Sequence, residues 1–183
     1  MTFSRNLQTA FMAAAALWII FFANYFIPVD IRLYGIRPRQ MDGLIGIVFW
    51  PFLHANIQHL IANSFAFFFL LFLSLSLDKK RTALALIIII ILGGGAVWLF
   101  ASPHTIHIGA SGIIFGLLGF LLFTGIFRRE WKALVFSALV FLLYGGLLVT
   151  LLIHKPGISW SGHFFGFGAG VVAAWITRPV KVR

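Results

Sequence analysis

Apolar residues fill six stretches of this chain, at about 7 to 27, 57 to 77, 82 to 101, 111 to 127, 131 to 150 and 161 to 177. Each is long enough to cross a bilayer as a helix, which takes roughly 17 to 25 residues. A helix also satisfies its own backbone hydrogen bonds, which hydrocarbon cannot do for it. The pattern therefore predicts an all-α integral membrane protein of six transmembrane helices, with residues 1–183 forming a single domain. One connection is long, residues 28 to 56. Its first half is polar (PVDIRLYGIRPRQMDG) and its second half apolar (LIGIVFWPFLHAN). Too irregular for a seventh span and too apolar to be loose, it is expected to lie folded at the membrane surface.

Composition agrees with this reading, since 61% of the residues are hydrophobic and 10% charged and the mean hydropathy is +1.03, well beyond a soluble domain. Charge then sets the orientation, because Lys and Arg accumulate in cytoplasmic loops. With the N-terminus inside, Arg5, Lys79, Lys80, Arg81, Arg128, Arg129, Lys132, Arg178, Lys181 and Arg183 fall on the inner side, and only Arg32, Arg37, Arg39 and Lys155 fall outside. The net charge of +10 is thus a topology signal and does not point to nucleic acid. Both termini are expected in the cytoplasm. The first apolar run is too long for a signal-peptide core and has no polar cleavage region after it. The lack of an Arg- and Ser-rich targeting segment favours a prokaryotic plasma membrane over an organelle. There is no cysteine, which excludes disulfide and thiol chemistry.

The four acidic residues narrow the function by exclusion. Asp30 and Asp42 belong to the long connection, and Asp78 and Glu130 flank inner helix ends. No carboxylate lies within a span, which disfavours a proton- or cation-coupled carrier. A pore lined by hydroxyls is not excluded on this ground.

Polar residues inside the spans sit on the even-numbered helices. The second opens with HANIQHLIAN, the fourth with GASG and the sixth with SGHFFGFGAG. All three run from outside to inside, so depth can be counted from their inner charged ends. At 1.5 Å per residue, Asn63, Ser111 and His163 lie at roughly 22 to 26 Å from the inner face. In a hydrocarbon core of about 30 Å that is one layer, roughly 4 to 8 Å below the outer surface. Three polar groups at one depth suggest one site, open to the outside.

Spacing refines the picture. His59 and Asn63 are four apart and share a helix face, so they can serve a common ligand. His54 and His59 are five apart and make a poor metal pair, and the His-Glu-x-x-His pattern is absent. A serine in a membrane helix is commonly a packing residue bonded to the preceding turn, and Gly112 with Gly116 can be a small-xxx-small contact. Gly166 and Gly170 repeat that spacing, so the fourth and sixth helices are expected to pack through glycine, carrying His163 towards Ser111. His104 and His107 read as solvated or structural, and His154 with Lys155 as a short outer loop.

A serine hydroxyl becomes a nucleophile when a base takes its proton, and imidazole is the usual base near neutral pH. The third member that orients such a histidine is normally an aspartate. None is available at this depth, so the machinery would be a Ser-His dyad. Attack on a carbonyl also needs donors for the oxyanion, and the Asn63 amide, a His59 ring N–H and the Ser111 backbone N–H could provide them.

Taken together, HLIAN, GASGIIFG and GHFFGFGAG closely resemble the rhomboid family of intramembrane serine proteases, in its bare six-helix prokaryotic form. The resemblance covers nearly the whole chain. It implies Ser111 as nucleophile, His163 as general base, and His59 and Asn63 as oxyanion donors. Gly109, Gly112, Phe115, Gly166, Gly170 and His54 take supporting places, with Phe115 packed against the His163 ring where many relatives carry tyrosine. No cofactor and no metal are implied, and the partners would be membrane lipid and transmembrane protein substrates cut near the outer face. Many rhomboids carry a Trp-Arg pair in the long first loop. Here the corresponding segment reads GLIGIVFWP, while Arg37 and Arg39 lie earlier, in GIRPRQ, as possible alternative anchors. The fifth helix, flanked by Gly145-Gly146 and the GIS turn at 157 to 159, is the candidate moving gate. The competing readings are a non-catalytic rhomboid-like protein that binds membrane clients, disfavoured because such relatives typically lack the serine or histidine, and a channel or carrier.

Overall fold

The computed structural model describes residues 2–153 and 159–179. These residues are helical apart from their connections and form no strand; one antiparallel bridge joins Ile36 to His107. Among the described residues the main helices are α1 (Thr2–Ala23), α2 (Ile57–Leu77), α3 (Lys79–Phe100), α4 (Ser111–Arg128), α5 (Trp131–Tyr144) and α6 (Trp160–Ile176). The first four are long and apolar enough to cross a membrane.

The helix ends follow local chemistry. α1 stops before Asn24, whose side-chain oxygen takes the Ile31 N–H at 2.9 Å. The Asn56 side chain accepts the His59 N–H and so caps α2. Asp78 caps α3 in the same way through the Arg81 N–H, which starts that helix ahead of the apolar run from 82. The fifth apolar stretch, expected over 131 to 150, is interrupted. At Gly145 the helix gives way to a separate single turn, Gly146–Val149. His154, Lys155, Lys181 and Arg183, and the GIS turn before Ser159, lie outside the described residues.

α4 is the centre of the molecule, with every residue from Ser111 to Leu121 buried. Its Gly112, Gly116 and Gly119 let Trp50, Ile89 and Phe167 come close. α6 lies closest to it. A Cβ at Gly166 would stand 3.1 Å from the Gly112 Cα, and one at Gly170 would stand 2.9 Å from the Phe120 amide nitrogen. The two glycine pairs therefore meet in register, Gly112 with Gly166 and Gly116 with Gly170, and the backbones approach as only small residues allow. α3 supplies Ile89 against Gly116, at a π-helical turn over Ile89–Gly93.

The connection 28–56 is a string of short turns, at Ile31–Tyr34, Met41–Gly43, Gly46–Phe49 and Trp50–Phe52. Ile36, Trp50 and Leu53 bury their side chains. Arg39 bolts the segment to the end of α3. Its guanidinium donates to the Leu99 carbonyl at 2.9 Å and its amide to the Trp98 carbonyl at 3.0 Å, while the Trp98 indole donates to the Gln40 carbonyl at 2.9 Å. Arg37 instead pairs locally with Asp42 at 2.6 Å. Of the two arginines raised as anchors, Arg39 reaches across to a helix.

Candidate active site

Ser111 is the first residue of α4 and His163 lies in the first turn of α6, each 9% exposed. The glycine contact sets the starts of their helices side by side: Gly112 follows Ser111, and Gly166 lies one turn below His163. Phe115, one turn after Ser111, stacks on the His163 ring with centroids 4.1 Å apart and planes 17° from parallel. The His163 Nδ1 is buried with no hydrogen-bond partner among the described residues.

The second wall comes from α2. A Cβ at Gly109 would meet the His59 ring at 2.6 Å and the Asn63 amide nitrogen at 3.4 Å. His59 and Asn63 therefore both face the residue two before Ser111. Gly109 has φ +118°, a conformation that excludes a side chain in practice, and the space above it is taken by those two side chains. The Asn63 amide nitrogen also donates to His54 Nε2 at 3.1 Å, and the Ala110 N–H points to the same atom at 3.5 Å. Because both neighbours are donors, His54 Nε2 is an acceptor and the ring is neutral. Burial, with a smaller effect from the neighbouring His59, pushes its pKa down to about 4. The His54 and His59 rings lie edge to face at 5.2 Å. No group of three His, Cys, Asp or Glu among the described residues could hold a metal.

Trp50 closes the floor, and nothing in the hydropathy pattern marked it. Its carbonyl accepts the Gly109 N–H at 2.8 Å. A Cβ at Gly112 would collide with its ring, and one at Gly162 would come within 3.2 Å of it. The Trp50 indole thus fills the gap left by two glycines on different helices. The only sequence signal was an aromatic in a segment otherwise lacking periodicity.

His107 is buried and belongs to a structural network, whereas His104 is exposed. Each of the ten candidate residues therefore lies on one of two walls. His163, Phe115, Gly112, Gly166 and Gly170 form the α4–α6 side with Ser111. His59, Asn63, His54 and Gly109 form the α2 side.

The family model of the Rhomboid domain matches residues 42–180. An uncharacterized protein of Mycobacterium tuberculosis is 40% identical over 150 residues, covering 78% of this chain and 62% of that protein. One from Mycobacterium leprae is 42% identical over 151 residues, covering 78% and 59%. A Bacillus subtilis protein that bears the name "Putative rhomboid protease" is 31% identical over 132 residues, covering 72% and 66%. The chain thus spans about three fifths of the length of the mycobacterial relatives it matches.

Proposed function

The chain belongs to the rhomboid family, and from that premise we propose that it is an intramembrane serine endopeptidase working through a dyad of Ser111 and His163. The observation that carries the reading is the seating of His163: it is stacked on Phe115 and held over the first turn of α4 by the Gly112–Gly166 contact.

In this reading the Ser111 Oγ attacks the scissile carbonyl while His163 takes its proton. The developing oxyanion meets the Ser111 backbone N–H, the His59 ring and the Asn63 amide. The first amides of a helix lack intrahelical partners and carry partial positive charge, which suits them to this task. An amide nitrogen bears two hydrogens, so Asn63 can hold His54 with one and present the other. Collapse of the tetrahedral intermediate breaks the C–N bond. His163 returns its proton to the leaving amine, and an ester to Ser111 remains. Water, deprotonated by His163, then hydrolyses that ester. Every step is complete without a metal or cofactor.

We read the chain as crossing the membrane six times. The two shorter helices are α5, continued by its extra turn, and α6. Large apolar side chains such as Phe11, Phe65 and Leu142 point outwards, as a lipid-facing surface requires. With both termini cytoplasmic by the charge rule, the site opens to the outer side of a plasma membrane, and the segment 28–56 shields it at the surface. Substrates would be transmembrane helices whose small or helix-breaking residues let the backbone unwind there. The test is a fluorophosphonate probe on the purified protein, with mass spectrometry locating the adduct. Labelling of Ser111 in the wild type supports the reading, and a wild type that takes no label and cuts no single-span reporter overturns it.

A further inference from the structure

His107 lies four residues before Ser111, and Ser159 lies four before His163. Their side chains meet, with His107 Nδ1 2.6 Å from Ser159 Oγ. On the other side of the ring, Nε2 is 2.9 Å from Thr105 Oγ1, which is itself 2.6 Å from the Ser102 carbonyl.

With the imidazole neutral, as its burial favours, these contacts assign each proton. The Ser102 carbonyl only accepts, so the Thr105 hydroxyl donates to it and accepts from the His107 Nε2–H. Nδ1 is then an acceptor, and the Ser159 hydroxyl donates to it. The free lone pair of Ser159 Oγ takes the Gly162 N–H at 3.2 Å, capping α6. The hydrogen bonds therefore run in one direction from α6 to the loop before α4.

Both ends of this link are anchored close to the reacting groups. The His107 backbone is pinned by reciprocal bonds with Ile36, at 2.9 and 3.0 Å. The Ser159 carbonyl accepts the His163 N–H at 3.1 Å. His107 thus holds the residue that both caps α6 and accepts the His163 N–H. The glycine contacts below His163 bring the two helices close along their length, and at the start of α6 Gly162 lies against the Trp50 ring. The His107–Ser159 bond adds a directional side-chain tie across the top.

We infer that His107 is a positioning residue: through Ser159 it locks the start of α6 to the loop before α4 and so sets the His163 imidazole against Ser111. The inference rests on the serine-protease reading above. It takes His107 out of the set of passive loop histidines and gives Ser159 a role besides helix capping.

The test compares His107→Leu, which keeps bulk without an acceptor, with His107→Asn, whose amide oxygen can take the place of Nδ1. Two rates are read well below the unfolding temperature: fluorophosphonate labelling of Ser111, and kcat and KM on a single-span reporter. The expected result for His107→Leu is a roughly ten- to hundredfold fall in labelling rate and kcat, as for a misplaced reacting group, with KM little changed. His107→Asn recovers most of it. Ser159→Thr, which retains the hydroxyl, stays close to wild type. The double variant His107→Leu/Ser159→Ala falls no further than Ser159→Ala alone, since both changes break the same bond. Wild-type labelling and kcat in folded His107→Leu overturn the proposal while leaving Ser111 as nucleophile, as do effects that multiply in the double variant. Should His107→Leu not fold, Ser159→Ala carries the test, and wild-type rates in that variant overturn it equally. A wild-type protein that neither labels nor cleaves overturns the protease reading and this proposal together.

Discussion

The rings of Phe115 and His163 stack at 4.1 Å between centroids, 17° from parallel, across the contact between α4 and α6. Phe115 also sits one helical turn after Ser111, so the residue that supports the imidazole is carried by the helix that carries the hydroxyl. Phe115→Tyr keeps the stack and is expected to leave cleavage near wild type. Phe115→Ala empties a buried site, at a cost of about 3 to 5 kcal/mol. It should lower kcat by more than the unfolded fraction accounts for, as measured by reporter cleavage beside a thermal melt.

Ser111→Ala removes one hydroxyl from a buried helix start and adds no bulk. The variant is expected to stay folded and monodisperse, to melt close to wild type and to cut nothing. Normal reporter cleavage by this variant would remove Ser111 from the mechanism.

Two glycines of α6 give an internal control. A Cβ at Gly166 runs into the backbone of Gly112, whereas nothing lies within 4 Å of one at Gly168. Gly166→Ala is expected to force the helices apart, costing about 1 to 3 kcal/mol as overpacking does, and to lose activity with the displaced His163. Gly168→Ala should match wild type in both melting temperature and cleavage. Equal behaviour of the two variants would contradict the close α4–α6 contact.

The neutral His54 makes stability depend on pH. Its folded pKa of about 4 lies below the unfolded value of about 6.5, so the unfolded chain binds more protons between the two. The stability it contributes is complete above about pH 6.5 and is lost as the pH falls towards 4. Burial shifts His107 in the same direction. The melting temperature of the inactive Ser111→Ala protein should therefore drop on acidification from about pH 7 to about 4.5. A flat profile over that window would mean that His54 is not held neutral.

His59 and Asn63 separate by kinetics. As oxyanion donors, each alanine variant should lose roughly tenfold or more in kcat at saturating substrate, and the double variant much more, since one donor is typically worth 10² to 10³ in rate and others partly compensate. As packing residues they would cost stability and reduce cleavage only with the unfolded fraction. A stable double variant with a near wild-type maximal rate would exclude the first role.

The helical class, the approximate extent of the long helices and the polar residues that open the second, fourth and sixth of them were legible in the chain alone. These follow from local rules: apolar length sets a span, and the rise per residue sets depth. The repeated four-residue spacing of Gly112 with Gly116 and Gly166 with Gly170 likewise announced which two helices pack together, because small residues at that period have few other uses in an apolar helix. Those rules do not reach contacts that exist only once the helices have packed. That Trp50 fills the gap between Gly112 and Gly162, that Arg39 anchors its segment on Leu99, that His54 receives the Asn63 amide, and that His107 meets Ser159 are contacts between residues 9 to 112 positions apart. Such contacts leave no periodicity in the chain. They arise when the α4–α6 contact and the folded 28–56 segment close around the same space and each buried polar group must find its partner there.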